Sequence, residues 1–331
     1  MKFLKNIIKL LCLVCTLAMM YTFVSCNNSD TPDETVGEIY RIVTFNSNGG
    51  SYVENAKVLD NGYLTRPEDP TLDNYVFRRW EKDGREWLFE AKKVTSDMTL
   101  SALWVSAVEL FELEPNETDG TLYISGFKKQ ASFSTLRVPS KINGKTVTGI
   151  TDDALSNTSV EHAKHIILPN TIVFIGNAAF KNSTEVTFDI RGTIISIGEE
   201  SFSNCSSLTQ IKLGKGITSI PFMCFTNCSS LKTFDIPLGV TKIDENAFEG
   251  CTSMTTIVIP DSLTSIEDSA FSGCKSLKTV FYTGTEEQFD SIDIADSNES
   301  FTDAKVYFYS ENKPANGGSY WHYENGSPRI W

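Results

Sequence analysis

The sequence predicts a mainly β chain whose larger part is a solenoid of 23-residue coils, each built from a strand and a short helical turn. Five rows of residues in one phase carry this. Phe202, Phe225, Phe248 and Phe271 lie 23 residues apart, and Cys205, Cys228, Cys251 and Cys274 follow in the same phase. Ile197, Ile220, Ile243 and Ile266 form a third row, Leu208, Leu231, Met254 and Leu277 a fourth, and Ile211, Phe234, Ile257 and Val280 a fifth. A fixed period in this range marks coils that bury one apolar side against their neighbours and cannot fold singly.

One coil, SIGEESFSNCSSLTQIKLGKGIT at residues 196–218, explains the elements in turn. A helical turn carries Ser201-Phe202. Asn204 then stops it, with Asn182, Asn227, Gly250 and Gly273 as counterparts, because Asn and Gly tolerate a left-handed backbone. Leu208, Ile211 and Leu213 follow at spacings whose last part alternates like a strand. A Gly or Pro turn leads into a second short strand at residues 217–220. Fading copies upstream, Ala179-Phe180 with Ile190 and Ala154-Leu155 with Ile166 and Leu168, lead back to a first strand at 136–139. Seven strand rows are therefore expected over residues 136–282, in a sheet about 29 Å long.

The run [IV]-x-x-I-x-x-x-A-F-x-[NG]-C-x-S-L-x-x-[IV]-x-[IV]-P resembles the BspA-type leucine-rich repeats of bacterial surface proteins, over about residues 105–282. The resemblance implies a leucine-rich-repeat solenoid used as a binding scaffold, with no shared chemistry. With its N-terminal hairpin cap, this region is assigned to residues 105–310.

Residues 1–25 read as a targeting segment: Lys2, Lys5 and Lys9 precede an apolar run that is too short to span a membrane. The run ends in Phe-Val-Ser-Cys, which resembles a bacterial lipobox with Cys26 as the acylated first residue; an ordinary secretory leader is the other reading. An acidic polar tether follows at 26–37, and its stretch 27–34 resembles the surface-export signal of lipoproteins in Bacteroides-like bacteria. This implies an outer-membrane lipoprotein exposed at the cell surface, touching the membrane only through its lipid. The chain has 29 basic and 42 acidic residues, a net charge of −13. Without the three leader lysines the balance is 26 to 42, or −16, which excludes nucleic acid as a partner.

Residues 38–104 break the repeat. V-T-F-N-S-N-G-G, a Pro67–Pro70 turn, Y-V-F-R-R-W and M-T-L-S-A-L-W resemble the Listeria-Bacteroides repeat, the internalin-type B-repeat. The resemblance implies a small β-grasp-like module serving as spacer or adhesive unit. Asn74 and Arg79 stand where that family usually has Gly. Trp80 and Trp104 are read as core anchors or as a sugar platform. Strands at 109–113 and 121–125 flank Asp119-Gly120, a hairpin expected to cap the solenoid. At the other end, a strand at 305–310 is followed by a linker and a hairpin about Asn325-Gly326, together residues 311–331. Tyr320, Trp321, Tyr323 and Trp331 there either cover the last rung or offer an aromatic platform.

The sequence offers no catalytic constellation. G-x-S-x-G, a phosphate loop and H-E-x-x-H are missing, and no carboxylate pair holds a place fixed by the repeat. The expectation is a non-enzyme without cofactor or metal. His162 and His165 read as surface histidines, and Cys224 as a packing substitution in a column of small residues rather than a ligand with Cys228. The four periodic cysteines are expected to stack as small buried side chains, within disulfide reach of one another.

What remains is the outward face of the strands. Lys212, Lys232, Asp235, Thr256, Val258, Lys278 and Phe281 are the candidate contacts for a protein ligand of host or bacterial origin. Trp321, Tyr323 and Trp331 are the alternative platform for a glycan.

Overall fold

The computed structural model describes residues 38–129, 133–158, 163–190, 194–315 and 317–331. The leader at 1–25, Cys26, the remaining tether and His162 lie outside the described residues.

The helical-turn side is the most regular part. Phe180, Phe202, Phe225, Phe248, Phe271 and Phe301 form one stack, with successive ring centroids 5.2, 5.8, 5.5, 5.3 and 4.9 Å apart and planes within 22°. Around it, alternate backbone N–H groups of each turn donate to carbonyls of the next coil. Met223, Phe225 and Asn227 do so to Glu245, Ala247 and Glu249 at 3.1, 2.8 and 2.6 Å. That alternation needs two left-handed residues per turn. One is the expected column of Asn182, Asn204, Asn227, Gly250 and Gly273, which Asn157 extends by one coil. The other, which the sequence does not announce, is Asp153, Ala178, Glu200, Met223, Asn246 and Ser269. A left-handed backbone costs such residues about 1 kcal/mol or more each, offset by the inter-coil hydrogen bond that each donates.

The asparagines also bond to each other. The Nδ2 of Asn182, Asn204 and Asn227 donates to Oδ1 of Asn157, Asn182 and Asn204 at 3.1, 2.7 and 2.9 Å. The column changes to glycine where a Cβ at residue 250 would stand 2.3 Å from Asn227 Oδ1.

The cysteine row is buried and free of disulfides among the described residues. The Sγ atoms of Cys205, Cys228, Cys251 and Cys274 donate to the carbonyls of Phe180, Phe202, Phe225 and Phe248 at 3.1 to 3.2 Å. Cys224 Sγ lies 3.3 Å from Ser201 Oγ in the small-residue column. Burial pushes the Cys205 and Cys224 thiols up to about 12 from 9.0. The fold therefore accepts only the neutral thiol. Its contribution is complete below pH 9 and is lost as pH climbs from there towards 12, by about 1.4 kcal/mol per unit for each such group. The urea midpoint is expected to fall between pH 9 and pH 11, and to fall less steeply in a Cys205→Ala/Cys224→Ala variant; equal slopes would contradict this account.

The strands form two rows. The outward row runs from Phe133–Arg137 through Ala163–Leu168 to Thr187–Ile190, then resumes with Thr233–Asp235, Thr256–Ile259, Thr279–Tyr282 and Lys305–Tyr309, all neighbours parallel. The second row follows the turns, from Lys145–Ile150 through Phe174–Ile175 to Ser196–Ile197 and then from Ser219–Ile220 to Asp293–Ile294. The fourth outward row, expected at Leu208, Ile211 and Leu213, forms no strand; a single bridge joins Ile194 to Leu213. Ile175 to Ile197 is 22 residues against 23 for Ile197 to Ile220, and Phe180 to Phe202 is shortened alike, yet the rings stack and the second row pairs across this shorter coil. The second row breaks instead between Ile197 and Ile220, where Pro221 lacks the N–H that Gly198, Asp244 and Glu267 donate at the same position.

In the N-terminal module Tyr40–Asn46 lies parallel to Met98–Ser106 at the sheet centre, flanked by Ala56–Leu59 and Tyr75–Lys82. Trp80 is buried against Phe45. Asn74 takes the glycine position at φ 70°, and Arg79 sits at a register shift and pairs with Glu81 at 2.6 Å. No linker follows. Met98–Ser106 runs directly into a helical turn at Ala107–Leu110, where a strand was expected from Glu109. Phe111–Pro115 and Leu122–Phe127 form the capping hairpin. Val76 and Ala107 belong to the solenoid's own core, and Ala107 N donates to Asn74 O at 2.8 Å.

Candidate binding face of the solenoid

Two columns of side chains point outward from the strand rungs. One reads Thr135, His165, Thr187, then Thr233, Thr256, Thr279 and Lys305. Within it, His165 Nδ1 and Thr187 Oγ1 share a 2.7 Å hydrogen bond. The other reads Arg137, Ile167, Asp189, then Asp235, Val258, Phe281 and Tyr307. By the period Lys212 stands between Asp189 and Asp235, whereas Lys232 and Lys278 share a different position just before their rungs.

Both ends of the second column are sheltered. At the N-terminal end the module's Tyr75, Phe77 and Trp104 face Arg137 and Ile167 across a cavity of about 490 Å3. At the C-terminal end, Tyr320–Glu324 adds to Lys305–Tyr309 and the tail turns back over the face. Trp321 is fully buried there, packed with Val258, Phe281 and Tyr307, and its Nε1 donates to Tyr282 O at 2.8 Å. Val258 and Phe281 were expected on an open surface; the tail covers them, leaving 4% and 5% exposed. Trp321 is likewise not an open platform but the plug that holds the tail down. Tyr323 is 48% and Trp331 36% exposed, the latter stacked on His322 at 3.7 Å with its Nε1 donating to Ser310 O.

The middle of the face stays open. Lys212, Lys232, Thr233 and Asp235 are exposed, Thr256 is half-buried and Lys278 exposed. Lys212 and Asp235 line a groove of about 530 Å3 with Gln210 and Leu238, at the coil that forms no outward strand. Although Asp235 is exposed at the surface, the atoms packed around its carboxyl partly desolvate it and hold it above its ordinary range, while the Lys212 ammonium pulls the other way. Burial first and the Asp235 charge second raise the Tyr323 hydroxyl above its ordinary range. Opposite charges beside half-buried threonines suit a polar protein surface. Among the described residues no three His, Cys, Asp or Glu side chains gather as a metal site requires.

The profile of the BspA type Leucine rich repeat region, in six copies, matches residues 122–187 and 175–300, more than half of the chain. The chain belongs to this family. Residues 42–103 match the Listeria-Bacteroides repeat domain. BspA-type membership agrees with binding or adhesion in general. A protein of Evansella cellulosilytica described as a Gly-rich membrane protein is 34% identical over 77 residues, 22% of this chain and 9% of that one. A leucine rich cell surface protein of Faecalibacterium prausnitzii is similar at 27% identity with a TM-score of 0.35, over 55% of this chain and 40% of that one. The T. pallidum leucine rich repeat protein is 20% identical with a TM-score of 0.48, over 56% and 83%. The chain thus spans a small part of its curated relative and two fifths of the Faecalibacterium protein.

Proposed function

We propose that this BspA-type protein is a lipid-anchored adhesin or binding protein of the surface of a Bacteroides-like bacterium, presenting the open middle of its outward face to a protein ligand of host or bacterial origin. One observation carries the reading. The outward face is covered at both ends, by the module and by the Trp321 tail, yet Lys212, Lys232 and Asp235 remain exposed between them beside a groove. The Phe-Val-Ser-Cys26 sequence supports the anchor.

Cells displaying the full chain are expected to bind surfaces coated with fibronectin, laminin or collagen. Replacing Lys212, Lys232 and Lys278 together with Glu is expected to reduce capture about tenfold by reversing the rim charges. Folding is expected to stay intact, since surface changes stay within about 0.5 kcal/mol each. Full capture by that variant would overturn the face assignment. Cys26→Ser is expected to abolish palmitate labelling, and labelling that survives would overturn the anchor.

A further inference from the structure

We propose that the cavity between the N-terminal module and the first rungs of the solenoid is a binding site for a neutral saccharide, a pyranose or a short chain of them. It is a site separate from the middle of the outward face, and its residues include none of Lys212, Lys232 and Asp235. At about 490 Å3 it falls in the size range of small-ligand sites.

Its walls are amphipathic in the way a sugar ring is. Phe77 and Ile167 are buried and give an apolar floor. Trp104 forms a side wall that is fixed before any ligand arrives. Its Nε1 donates to Ser47 O at 2.9 Å, and its ring stands edge-on to Phe77 at 5.5 Å. Gly50 lies so close that a Cβ there would be 2.5 Å from a Trp104 ring carbon, so only glycine lets the indole take this place. A pyranose has an apolar C–H face that stacks on such a wall.

The rim supplies the hydrogen bonds. Asp73 and Asn170 are exposed at the cavity, Tyr75 is 43% exposed, and Arg137 adds a guanidinium. A carboxylate accepts from hydroxyls, a guanidinium donates to them, and an amide does both. The two charges are opposite, so the site favours neither anion nor cation, and the chain's net charge of −13 acts against acidic glycans. These features select a neutral polyol ring over a charged ligand.

The two halves are held together as a site requires. Asn74 N donates to Lys141 O at 3.4 Å, Asn143 N donates to Asn74 Oδ1, and Val76 lies in the solenoid core. The cavity is therefore framed by parts of the chain joined through direct hydrogen bonds and a shared core.

The test is titration of the full chain with cellobiose, maltose and lactose, read by calorimetry and by the indole N–H signals in NMR spectra. Saturable binding of at least one sugar is expected, with a Kd of about 1 mM. Tyr75→Ala, which removes rim surface, or Asp73→Asn, which removes the charged acceptor, is expected to weaken it about tenfold. Asp73 is exposed, so Asp73→Asn is expected to keep the wild-type melting curve if Tyr75→Ala does not. The Lys212/Lys232/Lys278 triple variant is expected to bind the sugar normally, which separates this site from the protein-binding face. No saturable response to any of the three sugars up to about 10 mM, or unchanged binding in both rim variants, overturns the proposal.

Discussion

Phe248→Ala is expected to destabilise the solenoid by roughly 3 to 5 kcal/mol, the range for emptying a buried aromatic site. Phe248 is fully buried between Phe225 at 5.5 Å and Phe271 at 5.3 Å, with Phe234 edge-on at 4.9 Å. The cavity cannot close from either side, because both neighbouring rings belong to coils fixed by their own inter-coil hydrogen bonds, including Phe248 N to Ala270 O and Phe225 N to Ala247 O. In a solenoid each coil touches only its neighbours, so the loss concentrates at the interfaces on either side of the coil that carries residue 248. Hydrogen exchange should quicken first in the turns at 223–227 and 269–273, and the denaturant midpoint should fall. A midpoint within about 0.5 kcal/mol of wild type would mean that this ring does not carry the stack.

The Phe stack was legible because each ring repeats at one spacing, and the same holds for the cysteines and the Asn and Gly stop position. Phe301 was not, since 30 residues separate it from Phe271 and the helical turn at Glu299–Thr302 brings it into line by a different path. The second left-handed column escaped for another reason. Ala178, Glu200 and Met223 share no side-chain chemistry, and the backbone there is set by the hydrogen bonds to the next coil rather than by residue type. The missing strand at Ile211 had no signal in the sequence, since Ile211 keeps the regular 23-residue spacing to Phe234.

The candidate face was legible only in part, and the parts that failed are long-range. Period-two alternation predicted correctly that Val258 and Phe281 leave the solenoid core for the other side of the sheet. Nothing local predicted that Trp321, 40 residues beyond Phe281, would cover them. The same applies to the module. A resemblance that implied a spacer gave no sign that the module's Val76 would join the solenoid's core, because that depends on how two sheets meet. Apolar residues at outward positions were the available signal. In a column whose other members include the charged Arg137, Asp189 and Asp235, the run Val258, Phe281 and Tyr307 calls for a cover.

Trp321→Ala is expected to release that cover. The side chain is fully buried, packs on Phe281 at 5.2 Å and donates to Tyr282 O at 2.8 Å, so truncation should cost about 3 to 5 kcal/mol. The loss should appear differently from that of Phe248. Val258, Phe281 and Trp321 form a cluster apart from the main core, and the tail beyond residue 310 meets the rungs chiefly there. Local release of the hairpin is then easier than unfolding of the coils. Limited proteolysis should cut residues 311–331 while the melting of the solenoid shifts less than in Phe248→Ala. Uncovering Val258, Phe281 and Tyr307 would extend the open face from Asp235 along an apolar strip, so dye binding to exposed apolar surface should rise. An intact tail under protease, with dye binding unchanged, would show that β-pairing with Lys305–Tyr309 alone holds the hairpin and that Trp321 fills space without anchoring it.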